Sequence, residues 1–71
     1  MFLKFCDKYN GKNILINVDD ISHITEEDDG TCFVMKTVAD DFDKTKHPVK
    51  IAVKEDFDTV FQKIAFYEGA K

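Results

Sequence analysis

"KYNGKNILINVDDI", residues 8–21, is the stretch on which the fold turns. Asn10-Gly11 is a strong two-residue hairpin signal, because both central positions of a type I′ turn need a positive φ that Asn and Gly tolerate. With that pair at the centre, Phe5 faces Ile16, Leu3 faces Val18 and Asp7 faces Ile14. Leu3, Phe5, Ile14, Ile16 and Val18 then lie on one side of the ribbon. The turn and the apolar alternation predict the same buried face. Strands over 2–7 and 13–18 follow.

The pattern continues outward. "VDDI" predicts a short corner in which Asp19 or Asp20 bonds nearby backbone N–H groups. "ISHITEE", 21–27, predicts a third strand, and "DDGT" a second hairpin with Asp29-Gly30 central. That register sets Ile24 opposite Met35 and Glu26 opposite Phe33, with a fourth strand over 31–38. "ADDFDKTKH", 39–47, has no periodicity and is expected as an extended loop. Pro48 opens a fifth strand, 48–54, where Val49, Ile51 and Val53 alternate with Lys50, Ala52 and Lys54.

From Asp56 the apolar period changes from 2 to 3.6. Asp56 suits an N-cap, and Phe57, Val60, Phe61, Ile64 and Tyr67 form one stripe. Asp58 favours the positive helix end, and Gly69 stands where a C′ glycine would close a helix over 56–68. The expectation is a single small α+β domain over residues 1–71. It is an antiparallel meander of about five strands with one C-terminal helix packed on one sheet face.

Composition narrows the function classes. A chain of 71 residues gives one thin domain, and 44% apolar residues argue against disorder. The net charge is −4, and all ten basic residues are lysine. Without arginine's planar fork, direct nucleic-acid binding is not expected. "MFLKFCDK" does not read as a signal peptide, and no apolar run is long enough to span a membrane. A cytoplasmic location with Cys6 and Cys32 reduced is expected.

The residues that could carry chemistry do not assemble into a known pattern. "EEDDG", 26–30, and "DDFD", 40–43, lack the alternating ligands of a calcium loop. Cys6, Cys32, His23 and His47 lack paired zinc spacing, so no metal or cofactor is expected. In the predicted register His23 lies opposite Lys36 and Cys32 opposite Glu27, and a carboxylate beside a thiol disfavours the thiolate. No glycine-rich phosphate loop is present. The chain reads as non-enzymatic.

The order strand, "NGK", strand, "NVDDI", "DGT", strand, "VKED", "VFQKI" resembles the FlbD family of small flagellar-operon proteins. Those show an "NGK…N.D.I..I" opening and a "V.VKE…V..KI" ending, and the likeness runs from about Leu3 to Ile64. The segment 37–47 is longer here than the family's hairpin. The likeness implies the family's small fold. A weaker likeness links the "I..I.EE" region to the first half of LytTR domains. Their basic, DNA-reading second half has no counterpart in this chain.

Binding to protein is what remains. The outer sheet face carries Phe2, Leu15 and Val34 among Lys4, Asn17 and Lys36, a candidate interaction or self-association face. An adaptor contacting an unknown protein partner, with a homo-oligomer as a further option, is expected. The alternative is an acidic decoy, or nucleic-acid mimic. In it Glu26, Glu27, Asp28, Asp29, Asp40, Asp41 and Asp43 would engage a basic partner.

Overall fold

The structure, a computed structural model, describes residues 1–40 and 45–69. In chain order it has β1 (Phe2–Cys6), β2 (Asn13–Asn17), a 3-10 turn (Val18–Asp20), β3 (Ile21–Glu27), β4 (Gly30–Asp40), β5 (Lys46–Val53) and α1 (Phe57–Gly69). The class is α+β, with all strand pairing antiparallel. The strands divide into two sheets, β1-β2 and β3-β4-β5, and β2 does not pair with β3.

The first hairpin forms where the sequence places it, but with its register moved by two residues. Phe5 pairs with Ile14 and Leu3 with Ile16. The cause is Asp7. Its carboxylate accepts the N–H groups of Tyr9 (2.8 Å) and Asn10 (3.2 Å), and its carbonyl accepts the Gly11 N–H (3.0 Å). A four-residue loop over 8–11 replaces the two-residue turn, and Gly11 takes the left-handed φ of +70°. Because the shift is even, the same side chains still face inward.

The second hairpin is displaced in the same way. Glu27 pairs with Gly30 and Ile24 with Phe33, so Asp28-Asp29 form the turn. Gly30 is instead required by packing: a Cβ there would lie 2.2 Å from the Val53 carbonyl oxygen. The pairing then slips between Ile21 and His23, a bulge at Ser22. Before β3, Asn17 caps the 3-10 turn by accepting the Asp19 N–H at 3.1 Å, and Asp20 accepts the Thr37 hydroxyl at 2.6 Å. Neither aspartate caps the corner as the sequence suggested.

Part of the segment expected as a loop is strand. β4 runs to Asp40 and β5 starts at Lys46, with Ala39 opposite His47 and Asp40 opposite Lys46. Between the pairs Val34–Lys50 and Val38–Pro48, residues 35–37 stand against Val49 alone. That irregularity breaks the period of two, which hid the strand's continuation.

The sheets meet at the ends of β1 and β5. Asp7 bridges to Val53, the Lys8 N–H bonds the Ala52 carbonyl at 3.0 Å, and the Lys54 N–H bonds the Cys6 carbonyl at 2.9 Å. Both Glu55 carboxylate oxygens accept the Cys6 N–H, at 3.0 and 3.1 Å. The Glu55 carbonyl accepts the hydroxyl of fully buried Thr31 at 2.7 Å. Phe5, Ile16, Phe33, Met35, Val53 and Val60 form the core, and the Phe5 and Phe33 rings lie 4.9 Å apart at 57°.

α1 covers this core. Asp56 caps it, its carboxylate accepting the Thr59 N–H at 2.8 Å, and the Val60 N–H bonds the Asp56 carbonyl. Val60 is fully buried, and Phe57, Ile64 and Tyr67 are partly buried on the same stripe. Phe61, expected on that stripe, is 64% exposed, because it sits about 100° round the helix from Val60. The helix includes Gly69, the residue expected just beyond its end.

Two outcomes follow for stability. Gly30→Ala should cost about 1–3 kcal/mol or more by overpacking, whereas Gly11→Asn should cost little, since Asn tolerates a left-handed φ. Equal losses for both in urea titrations would contradict the packing role of Gly30. Bonds from Thr59, first its side chain and then its backbone N–H, hold the Asp56 carboxyl below its ordinary 3.8. The cap therefore contributes fully above that value and is lost as pH falls through the lower folded value. Asp56→Ala should lower Tm at pH 7, with the gap narrowing below pH 3.8; a gap constant down to pH 2 would exclude this coupling.

Candidate functional site

Inward and outward positions alternate along β1 and β2. Leu3, Phe5, Ile14 and Ile16 turn inward, so Phe2, Lys4, Asn13, Leu15 and Asn17 turn outward. Lys4 is paired with Leu15 and Phe2 with Asn17, which makes Phe2 and Leu15 diagonal neighbours on the outer face. Phe2 is 59% exposed and Leu15 65%, with Met1 exposed beside them. Val34 does not join them. It lies on the central strand of the other sheet, between His23 and Lys50, and is only 7% exposed. The mixed face inferred from the sequence therefore reduces to the hairpin's outer surface, with Lys36 exposed elsewhere on β4.

Among the described residues the candidate carboxylates are divided between the two ends of β4. Glu26 and Glu27 end β3, Asp28 and Asp29 form the turn, and Asp40 ends β4 opposite Lys46. Asp41 and Asp43 lie outside the described residues. Asp29 is engaged by Lys8 at 2.5 Å, and this exposed pair ties the first hairpin's loop to the second hairpin's turn. Their bond is the main cause that holds the Asp29 carboxyl below, and the Lys8 ammonium above, its ordinary value.

The cysteine and histidine positions also differ from expectation. His23 pairs with Val34 rather than Lys36, and Cys32 with Thr25 rather than Glu27, following the two-residue change of register. His23 is exposed, with Nδ1 3.3 Å from the Ser22 hydroxyl. Cys32 is buried, and the contact recorded for its Sγ is the Phe33 carbonyl at 3.9 Å. Cys6 is half-buried, its Sγ 3.4 Å from the Gly11 carbonyl. Among the described residues no cluster of three or more His, Cys, Asp or Glu could hold a metal ion, and no helix is long and apolar enough to cross a membrane.

Several surface features have only faint sequence signals. Phe66 is 80% exposed, and its position about 200° from Ile64 on the helical wheel could have placed it outside the stripe. Lys63 is positioned against the core instead of the solvent. Its Nζ lies 4.6 Å from the Phe5 ring centroid and bonds the Lys4 carbonyl. No pattern in the sequence announces that contact, because residues 4 and 63 meet only after the sheets join.

The two thiols should be distinguishable in solution. A soluble thiol reagent should modify half-buried Cys6 first, and Cys32 only as the sheet opens. Cys6→Ser should leave the slow phase alone; two equal rates in the native protein would contradict the burial of Cys32. No protein-family model, curated protein or solved structure matches this chain.

Proposed function

We propose that this chain is a non-enzymatic protein-interaction module, acting in the cytoplasm with reduced thiols, whose contact surface is the outer face of the β1-β2 hairpin. The observation that carries this reading is the exposure of Phe2 and Leu15 side by side on that face. Two large apolar side chains fixed on a strand pair give a partner a rigid surface to desolvate. Lys4 beside Leu15 and Asn13 and Asn17 at the ends give that surface a polar margin. Its chemistry suits protein more than nucleic acid, since the basic residues of this chain are all lysine.

The decoy reading has less support. Its carboxylates are split between the β3-β4 turn and the end of β4, and one of them, Asp29, is already engaged by Lys8. A mimic needs a dense acidic surface free to meet its target.

The two readings separate by salt and by substitution. Tagged full-length protein and its Phe2→Lys/Leu15→Lys and Asp28→Asn/Asp29→Asn forms should be used to recover partners from the source organism's lysate. The expected outcome is a stoichiometric protein that survives nuclease and about 0.5 M salt, and is lost only with the first pair. Retention by Phe2→Lys/Leu15→Lys, together with loss in salt or on Asp28→Asn/Asp29→Asn, would replace the apolar face with the acidic one.

A further inference from the structure

The open strand edges differ in how they meet a second strand. On β5, the bonds from Lys8 to Ala52 and from Lys54 to Cys6 show that its even-numbered residues turn their backbone groups away from β4. Pro48, which has no N–H, therefore faces the open side, flanked by exposed Lys46 and Lys50. Proline and lysine together block strand addition. β3 is interrupted by the bulge at Ser22 and carries Glu26 and Glu27. Two copies meeting antiparallel about Pro48 would oppose Lys46 and Lys50.

β2 has none of these guards. Its five residues, Asn13–Asn17, read "NILIN" and carry no charge, proline or bulge. Asp7 donates to the Lys12 carbonyl and Val18 to the Met1 carbonyl, each at 2.8 Å, which fixes the hydrogen-bonded set of the hairpin. Bonded and non-bonded pairs alternate, so residues 12, 14, 16 and 18 point their backbone groups at β1. Asn13, Leu15 and Asn17 turn theirs to the open edge.

"NILIN" reads the same in both directions. Antiparallel pairing about a two-fold axis at Leu15 places Leu15 opposite Leu15 of the second copy, and Asn13 opposite Asn17. Every opposed pair is then apolar with apolar or amide with amide. At the two ends Lys12 of one copy stands opposite Val18 of the other, so no like charges meet. The Phe2 and Leu15 side chains of both copies would form one apolar band across four strands.

We propose that β2 is a self-complementary edge through which two copies of this chain pair antiparallel about Leu15. This assignment rests on the interaction reading proposed above: a second copy adds at the β2 edge and widens the outer face that carries Phe2 and Leu15. The Leu15 N–H of each copy donates to the Leu15 carbonyl of the other, and the Asn17 N–H to the Asn13 carbonyl. The contact is small, so the expected behaviour is a concentration-dependent monomer–dimer equilibrium.

Sedimentation equilibrium of the untagged full-length chain tests this directly. The mass should rise with concentration from 8.2 kDa toward twice that value. Leu15→Pro removes the outward N–H without touching a bond to β1, and Leu15→Lys opposes two cations across the axis. Both should sediment as monomers with an unchanged far-ultraviolet spectrum, and Leu15→Lys serves alone if the proline form fails to fold. In the wild type, exchange of the Leu15 and Asn17 N–H groups should slow as concentration rises. A wild-type chain that stays monomeric up to about 1 mM, or a dimer that persists in Leu15→Lys, would overturn the proposal. A monomeric wild type that still recovers a partner lost in Phe2→Lys/Leu15→Lys would overturn self-pairing alone and leave the interaction reading standing.

Discussion

Everything in this fold passes through the close approach of Gly30 to the carbonyl of Val53. The absence of a side chain at position 30 lets the start of β4 lie against the end of β5, and that contact brings residues 52–56 to the junction. Ala52 bonds Lys8 of the first loop, Lys54 bonds Cys6 of β1, Glu55 binds the Cys6 N–H and the Thr31 hydroxyl, and Asp56 caps the helix. One five-residue segment thus closes the three-stranded sheet, attaches the hairpin and starts α1. Val53 within it and Thr31 beside it are fully buried, and the bonds of Glu55 are partly shielded from water, whereas the Asp56 cap is exposed.

Charge is used sparingly in holding the parts together. The Lys8–Asp29 pair is exposed, and such pairs contribute little to stability. Its value lies in geometry, because it joins two loops whose strands belong to different sheets. Lys63 is placed otherwise, with its ammonium over Phe5, where the ring face and the Lys4 carbonyl both receive it. The helix is therefore fixed to the hairpin by a cation as well as by Val60.

The core was legible in the sequence because strand periodicity survives an error of two residues. Asn10-Gly11 and Asp29-Gly30 marked the right places for chain reversal but not the right turn. In the first hairpin the Asp7 side chain competes for the backbone and lengthens the loop; in the second, Gly30 is taken by packing. Both shifts are even, so Phe5, Ile16 and Phe33 stayed on the buried side although their partners changed. Odd or irregular features were not legible. The crowding of residues 35–37 against Val49 concealed the continuation of β4, and Val34, expected on an exposed face, lies buried on the central strand of the second sheet. The exposed pair Phe2 and Leu15 was readable from alternation alone. The self-complementarity of β2 became meaningful only once the direction of its backbone groups was known.

The junction also sets the order in which the chain can fold. Cys6, Asp7 and Lys8 find their partners at 52–55, so the first hairpin is anchored only by groups far along the chain. Until those join it, Phe5 and Ile16 have only each other's strand to shelter them, and an isolated two-stranded ribbon is marginal in water. The β3-β4 hairpin can form from local contacts, but closure of the whole must wait for the last quarter of the chain. Closure is thus made by the segment directly ahead of α1.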